Sequence, residues 1–229
     1  AKGAPEFVDG HIRMNMSVQL KDIQRAFEAV NLFPELKNVP VIIGECDPEG
    51  CAACSEKRDP KYGYRNGTMY SSYTAASFAR IYELMDKYKV NLKGVVSWSF
   101  EFEDQEWFAG FRELATHGVD KPVLNIFRMF GMMNGNRISV KCDDGLTAAD
   151  IITKGAREKN DINAIASKNR NSVCIMVWYY HDDDVAGVSS PVELNVNGIG
   201  NKSVLINHYR VDQQFSNSFE KWKALGKPG

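Results

Sequence analysis

The chain has 229 residues, 44% of them hydrophobic, and a formal net charge of −1. That is long enough to bury a sizeable core and too apolar for a disordered tail. So even a charge balance gives no support for a nucleic-acid or membrane-surface partner, and no apolar run reaches the ~18 residues of a transmembrane helix. No signal-peptide pattern opens the sequence. Five cysteines cannot all pair and form no dense disulfide framework, which points to reduced thiols in a cytoplasmic compartment.

In chain order, Leu20, Ile23, Phe27 and Val30 recur at three and four residues, predicting a helix over 17–30 with Ser17 as N-cap. Pro40 opens the apolar run Val41-Ile42-Ile43, read as a strand. A loop rich in Gly, Pro, Asp and Lys follows, from Cys46 to about Gly67. Ala75, Phe78, Ile81, Tyr82 and Met85 share one face of a second helix over 71–88. Leu92 to Phe100 is apolar at nearly every position, as in a strand buried on both faces of a parallel sheet. After the loop 101–121, Pro122 suits the first turn of a helix reaching about Met133. Helices alternating with buried strands indicate an α/β barrel or a doubly wound sheet.

The texture changes near Asn134-Gly135-Asn136. Strands are predicted over 137–141, 162–167, 173–181, 192–196 and 203–211, with turns over 169–171, 182–184 and 197–201 between them. Short strands at that spacing argue an antiparallel sandwich, so two units meet at about residue 135. No internal repeat interrupts either.

Two features could carry chemistry. In "GECDPEGCAAC", Cys46, Cys51 and Cys54 stand in the C-x4-C-x2-C spacing of a plant-type iron–sulfur loop, with Cys142 as a distant fourth ligand. The setting argues against a cluster: the loop lies among alternating helices and strands, and Asp47 and Glu49 would add charge beside thiolates. Zinc would need a fourth ligand, and no Cys or His lies between Cys54 and His117. The cysteines are therefore read as small residues shaping a loop, with no metal and no cofactor.

The second feature is acidic. Glu45 ends the first apolar run, and Glu101 and Glu103 in "SWSFEFEDQEWF" follow the second. Carboxylates at the C-terminal ends of neighbouring barrel strands sit where such folds place catalysis. Trp98, Phe100, Phe102, Trp107 and Phe108 around them suit a carbohydrate cleft.

Read together, "AKGAPEFVDGHIRM", "VIIGECDPEGCAAC", "YRNGTMYSSYTAASFAR", "VVSWSFEFEDQEWFAGFRELATHGVDKPVLNIFRMF", "IMVWYYHDDD" and "HYRVDQQFSNSFEKWKALGKP" resemble a bacterial β-xylosidase of glycoside hydrolase family 39. The similarity runs in order along essentially the whole chain. It implies a (β/α)8 TIM barrel with an appended antiparallel β-sandwich, and retaining hydrolysis that releases xylose from non-reducing ends of xylo-oligosaccharides. On this resemblance Glu45 is the nucleophile at the end of barrel strand seven. Trp98, Glu101 and Glu103, at strand eight, would hold sugar hydroxyls. Lys2 and Gly3 would follow strand six, with Arg65, Asn66 and Tyr70 on the loop above the cleft.

Two departures matter. Relatives carry Trp or Tyr and then Asn after the nucleophile, where this chain has Cys46 and Asp47. The family's acid/base Glu sits in an Asn-Glu-Pro context on strand four, and the 229 residues contain no Asn-Glu-Pro. The resemblance thus implies a fragment: residues 1–134 as the last part of the barrel, after strand six, and 135–229 as a truncated sandwich. A non-catalytic carbohydrate-binding remnant is the alternative. Oligomeric state, and xylose against arabinose, stay open at this level.

Overall fold

The computed structural model describes residues 1–199 and 203–229. Helix α1, Met16–Asn31, buries Met16, Gln19, Leu20, Ile23 and Phe27, the face its spacing predicts. Its start differs from expectation, because Ser17 lies inside the helix and Asn15 at the cap position offers no side-chain bond. The carboxylate of Asp182, from far along the chain, instead accepts from the Met16 N–H at 3.2 Å. A first turn needs an acceptor for its free N–H groups, and here the acceptor is tertiary.

Ahead of α1, strands β1 (Glu6–Val8) and β2 (His11–Arg13) form a hairpin. Asp9 (φ 51°) and Gly10 (φ 81°) turn it, both with the left-handed backbone of a tight two-residue turn. Strand β3, Val41–Ile43, pairs in parallel with β4, Leu92–Val95, and α2, Thr68–Tyr88, lies on the connection between them. The pairing extends past the strands: Val96 N–H donates to Ile43 O at 3.0 Å, and Cys46 N–H to Val96 O at 2.8 Å.

The second strand is shorter and less covered than its sequence suggests. Its ladder ends at Val95, and Val96, Trp98 and Phe100 are 49%, 49% and 45% exposed. Among the described residues β3 and β4 form a two-stranded sheet, and beyond β3 only an isolated parallel bridge between Lys2 and Asp47 extends it. No closed barrel is formed by these residues.

Helix α2 packs against α1 and against α3, Pro122–Met132, which begins at the predicted proline. Phe78 of α2 meets Phe127 and Phe130 of α3 with ring centroids 6.0 and 5.6 Å apart. A second small hairpin precedes α3, with β5 (Ala115–Thr116) and β6 (Val119–Asp120) joined through His117 and Gly118.

Beyond residue 135, β7 (Asn136–Ile138), β8 (Asp161–Lys168) and β9 (Val173–Tyr180) form an antiparallel sheet in that order. The strands predicted over 192–196 and 203–211 do not form, and no second sheet closes a sandwich among the described residues. Val192, Leu194 and Val196 alternate as a strand should, yet they are exposed without a partner edge, as are Val204, Leu205 and Ile206. Of the turn expected over 197–201, residues 200 and 201 lie outside the described residues. Two helices were not foreseen. These are α4, Ala148–Lys154, opened by a capping box of Thr147 and Asp150, and α5, Ser218–Ala224. No helix among the described residues is long and apolar enough to cross a membrane.

The stretches on either side of residue 135 share one core, in which α1 packs on α4 and α2 on β9. Its polar joint is Arg80 of α2, whose Nη2 donates to both oxygens of buried Asp161 at 2.6 and 2.7 Å. Trp178 Nε1 and the Leu146 N–H also donate to Asp161, each at 2.8 Å. Removing one partner of a buried pair strands the other charge, so Arg80→Met should cost about 3–5 kcal/mol in denaturant unfolding. A loss under about 1 kcal/mol, the range of exposed pairs, would show that the pair does not hold the two stretches together.

Candidate active site

The segment after β3 presents carboxylates at alternate positions, Glu45, Asp47 and Glu49, and all three converge on Arg112. Its Nη2 lies 3.6 Å from Glu45, Nη1 pairs with Asp47, and Nε lies 3.8 Å from Glu49. The arginine is wholly buried and comes from the long loop between β4 and β5. Its backbone is pinned on both sides: Arg112 N–H donates to Ala52 O at 3.0 Å, and Phe100 N–H to Arg112 O at 3.2 Å.

The three acids are not equivalent. The side chain of Glu45 is 33% exposed, against 0% for Asp47 and 6% for Glu49. Ser97 Oγ donates to Asp47 at 2.6 Å and the Trp98 N–H at 3.1 Å. Burial raises the Asp47 carboxyl above the usual range, opposed by Ser97, Arg112, the Trp98 N–H and Lys2. Glu49 accepts from Tyr64 Oη at 3.2 Å and pairs with Arg65. Lys2 pairs with Glu45 and stands 3.8 Å from Asp47. Gly3 lets its strand lie against this segment, since a Cβ there would meet Pro48 O at 2.3 Å.

Cys46 points the other way into the core. Gln19 Nε2 donates to its sulfur at 3.4 Å and to Asp47 O at 3.1 Å, and Tyr73 Oη fixes Gln19 at 2.8 Å. Burial pushes the Cys46 thiol up to about 12.

Cys51 and Cys54 form a disulfide, which corrects the reading of reduced thiols for these two. The two-residue spacing brings their Cα atoms to 5.5 Å, within the range a disulfide spans. Cys46, Cys142 and Cys174 are free. Among the described residues no group of three or more His, Cys, Asp or Glu is arranged to hold a metal.

Arg65, Asn66 and Tyr70, expected above a cleft, lie beneath the loop instead. Arg65 is fully buried and donates to the carbonyls of Cys51 at 2.6 Å and of Cys54 and Gly110 at 2.9 Å each. Asn66 donates to Phe108 O at 2.7 Å. Tyr70 is buried with its ring edge on Tyr64, 5.5 Å between centroids, and burial pushes its hydroxyl up to about 12. These three side chains shape the loop and reach no solvent.

Trp98 is half exposed and stands over Phe100 with centroids 5.0 Å apart. The row continues through Phe102, 6.1 Å on, to a stacked Phe111 at 4.8 Å. Glu101 and Glu103 are exposed and line a separate open cleft of about 250 Å³ with Asp104, Glu113 and His117; Glu45 does not reach it. The structure thus gathers Lys2, Glu45 and Trp98 around Asp47 and leaves Glu101 and Glu103 apart. Arg112 and Asp47 were missed from sequence. The alternation of Glu45, Asp47 and Glu49 was the available signal, whereas nothing local marks Arg112.

Carboxylates at the end of a parallel strand, beside exposed aromatic rings, make a site of glycosidase type. The chain belongs to glycosyl hydrolases family 39, whose family model matches residues 9–229. A search of curated proteins finds no match.

The thiols give a direct check of this loop. At pH 8, a thiol titrating near 12 is only about one part in ten thousand thiolate. Under native conditions an alkylating reagent should therefore modify exposed Cys142 and spare Cys46, while Cys51 and Cys54 react only after reduction. Alkylation of Cys46 as fast as Cys142, or of Cys51 without reductant, would contradict the arrangement.

Proposed function

We propose that this glycosidase is of the retaining β-xylosidase type, with Glu45 as its nucleophile. The observation that carries the reading is the inequality of the three carboxylates: of Glu45, Asp47 and Glu49, only Glu45 keeps substantial solvent access. It does so at the end of a parallel strand, where barrel enzymes place their chemistry.

In this reading a carboxylate oxygen of Glu45 attacks the anomeric carbon as the bond to the leaving oxygen breaks, and a second carboxyl group protonates that oxygen. Water then cleaves the covalent sugar–Glu45 ester, giving its proton to the same second group, and the sugar leaves with its configuration retained. The two carboxyl groups must stand about 5–5.5 Å apart. Asp47 is near enough in sequence but is sealed from solvent and paired with Arg112, so it does not serve as the proton donor. The resemblance puts the donor in an Asn-Glu-Pro context, a sequence these 229 residues do not contain.

The apolar face of Trp98 would carry a xylose ring, and Lys2, now paired with Glu45, would turn toward a sugar hydroxyl. Strands β3 and β4 correspond in this reading to barrel strands seven and eight, and residues 135–229 to an accessory unit. A non-catalytic sugar-binding role is the second reading, favoured by the exposed row from Trp98 to Phe100. Binding of xylo-oligosaccharides with no turnover in any assembly that includes a donor would decide for it.

Two outcomes are expected. In the enzyme assembled with its proton donor, Glu45→Ala should lower turnover of p-nitrophenyl β-xyloside by several orders of magnitude. Azide should then restore it and yield the α-xylosyl azide, because the anion enters from the face the carboxylate vacated. Near-normal turnover in the alanine variant would refute the assignment. The 229-residue chain by itself should release no nitrophenol, and release that depends on Glu45 would place the donor inside this chain.

A further inference from the structure

We propose that Arg112 is a positioning residue for Glu45, set in place by Asp47 and Glu49 so that its charge stands opposite the nucleophile. The catalytic part of this inference rests on Glu45 being the nucleophile.

The geometry separates the two cations at Glu45. Lys2 pairs directly with Glu45 Oε1; its side chain is 30% exposed, although its Nζ is itself buried. Arg112 approaches from the interior, 0% exposed, and each of its three guanidinium nitrogens faces a different carboxylate. Asp47 is itself held by Ser97 and the Trp98 N–H, and Glu49 by the Cys51 N–H at 2.5 Å and by Tyr64. The close ion pair with Asp47 and the nearby charge of Glu49 hold the planar fork from one side, and Nη2 is its nitrogen nearest Glu45.

Charge also balances. Lys2, Arg112 and Arg65 face Glu45, Asp47 and Glu49, so the column carries as many cations as anions. The 3.6 Å between Nη2 and Glu45 Oε1 lies beyond hydrogen-bond range. At that distance the guanidinium acts on the carboxylate through its charge, while Lys2 is the cation in direct contact with Oε1. Displacing a reacting group by about 1 Å can cost a hundredfold in rate, so a buried charge beneath the nucleophile has a catalytic consequence.

A carbodiimide with a small amine tests this on the chain as it stands, because it converts free carboxyl groups to amides and peptide mass spectrometry reads each site. Losing a buried partner should speed labelling of Glu45 about tenfold or more in Arg112→Gln, and Arg112→Lys should bring it most of the way back. Losing the partly exposed partner, in Lys2→Met, should speed it by less than about fivefold. A purely structural Arg112 would leave Glu45 unchanged relative to Glu101 and Glu103 in a folded Arg112→Gln protein, and that result would overturn the proposal. If Arg112→Gln does not fold, Lys2→Met decides: a rise above about tenfold assigns Glu45 to Lys2 alone and likewise overturns it. No sugar enters this assay, so its failure leaves the glycosidase reading standing. Normal turnover in Glu45→Ala would instead remove the catalytic role while leaving the ion pair.

Discussion

Three carboxylates crowd together at alternate positions of one short segment, two of them buried. Lys2, Arg112 and Arg65 share their neutralisation, with buried Arg112 the one cation that faces all three. Unpaired, Asp47 and Glu49 would each carry a desolvation cost of several kcal/mol. Much of the neighbouring structure follows from that need. Arg112 requires a backbone anchored from both sides, which Ala52 and Phe100 supply. Glu49 requires Arg65, and Arg65 draws the carbonyls around the Cys51–Cys54 disulfide onto its remaining nitrogens. The loop is thereby folded down over the strand ends, and Glu45 is the member of the trio left at its rim.

The parallel pair beneath supplies the other half of the geometry. Because Cys46 N–H bonds to Val96 O, the backbone beside Glu45 is locked to the backbone entering Trp98. A carboxylate and an aromatic face are thus neighbours by strand pairing, before any side chain packs. Such preorganisation is what electrostatic catalysis requires, since groups already in place need not reorganise during reaction. Family membership supplies the chemistry expected of such a site, and the local geometry says which of three acids is available for it.

Much of this was legible in the residues. α1 and α2 announced themselves by period and α3 by its opening proline, and Val41–Ile43, β8 and β9 by apolar runs between turn residues. Glu45 stood out by its place after an apolar run, although the strand that run forms is not buried: Ile42 is 64% exposed. What escaped depended on contacts between distant residues. Ser17 is a reasonable cap locally, yet Asp182 supplies the acceptor. Residues 92–100 are apolar enough for a long strand, yet its backbone pairing with the first strand's segment ends at Val96, bonded to Cys46. The alternation over 192–196 found no edge to join. Arg112 lies 67 residues beyond Glu45 and gives no sign in its own neighbourhood of what it faces. Arg65, Asn66 and Tyr70 were placed by motif above a cleft, whereas the demand for buried donors draws them beneath the loop.

Trapping the covalent intermediate tests the central assignment most directly. A β-xylosyl fluoride carrying fluorine in place of the hydroxyl beside the anomeric carbon slows both steps, and its fluoride leaves with little need of a proton. Incubated with the enzyme that includes these residues and its donor, it should add one fluoroxylosyl group, and fragmentation of the labelled peptide should place that group on Glu45. A label on Asp47, Glu101 or Glu103 would contradict the account.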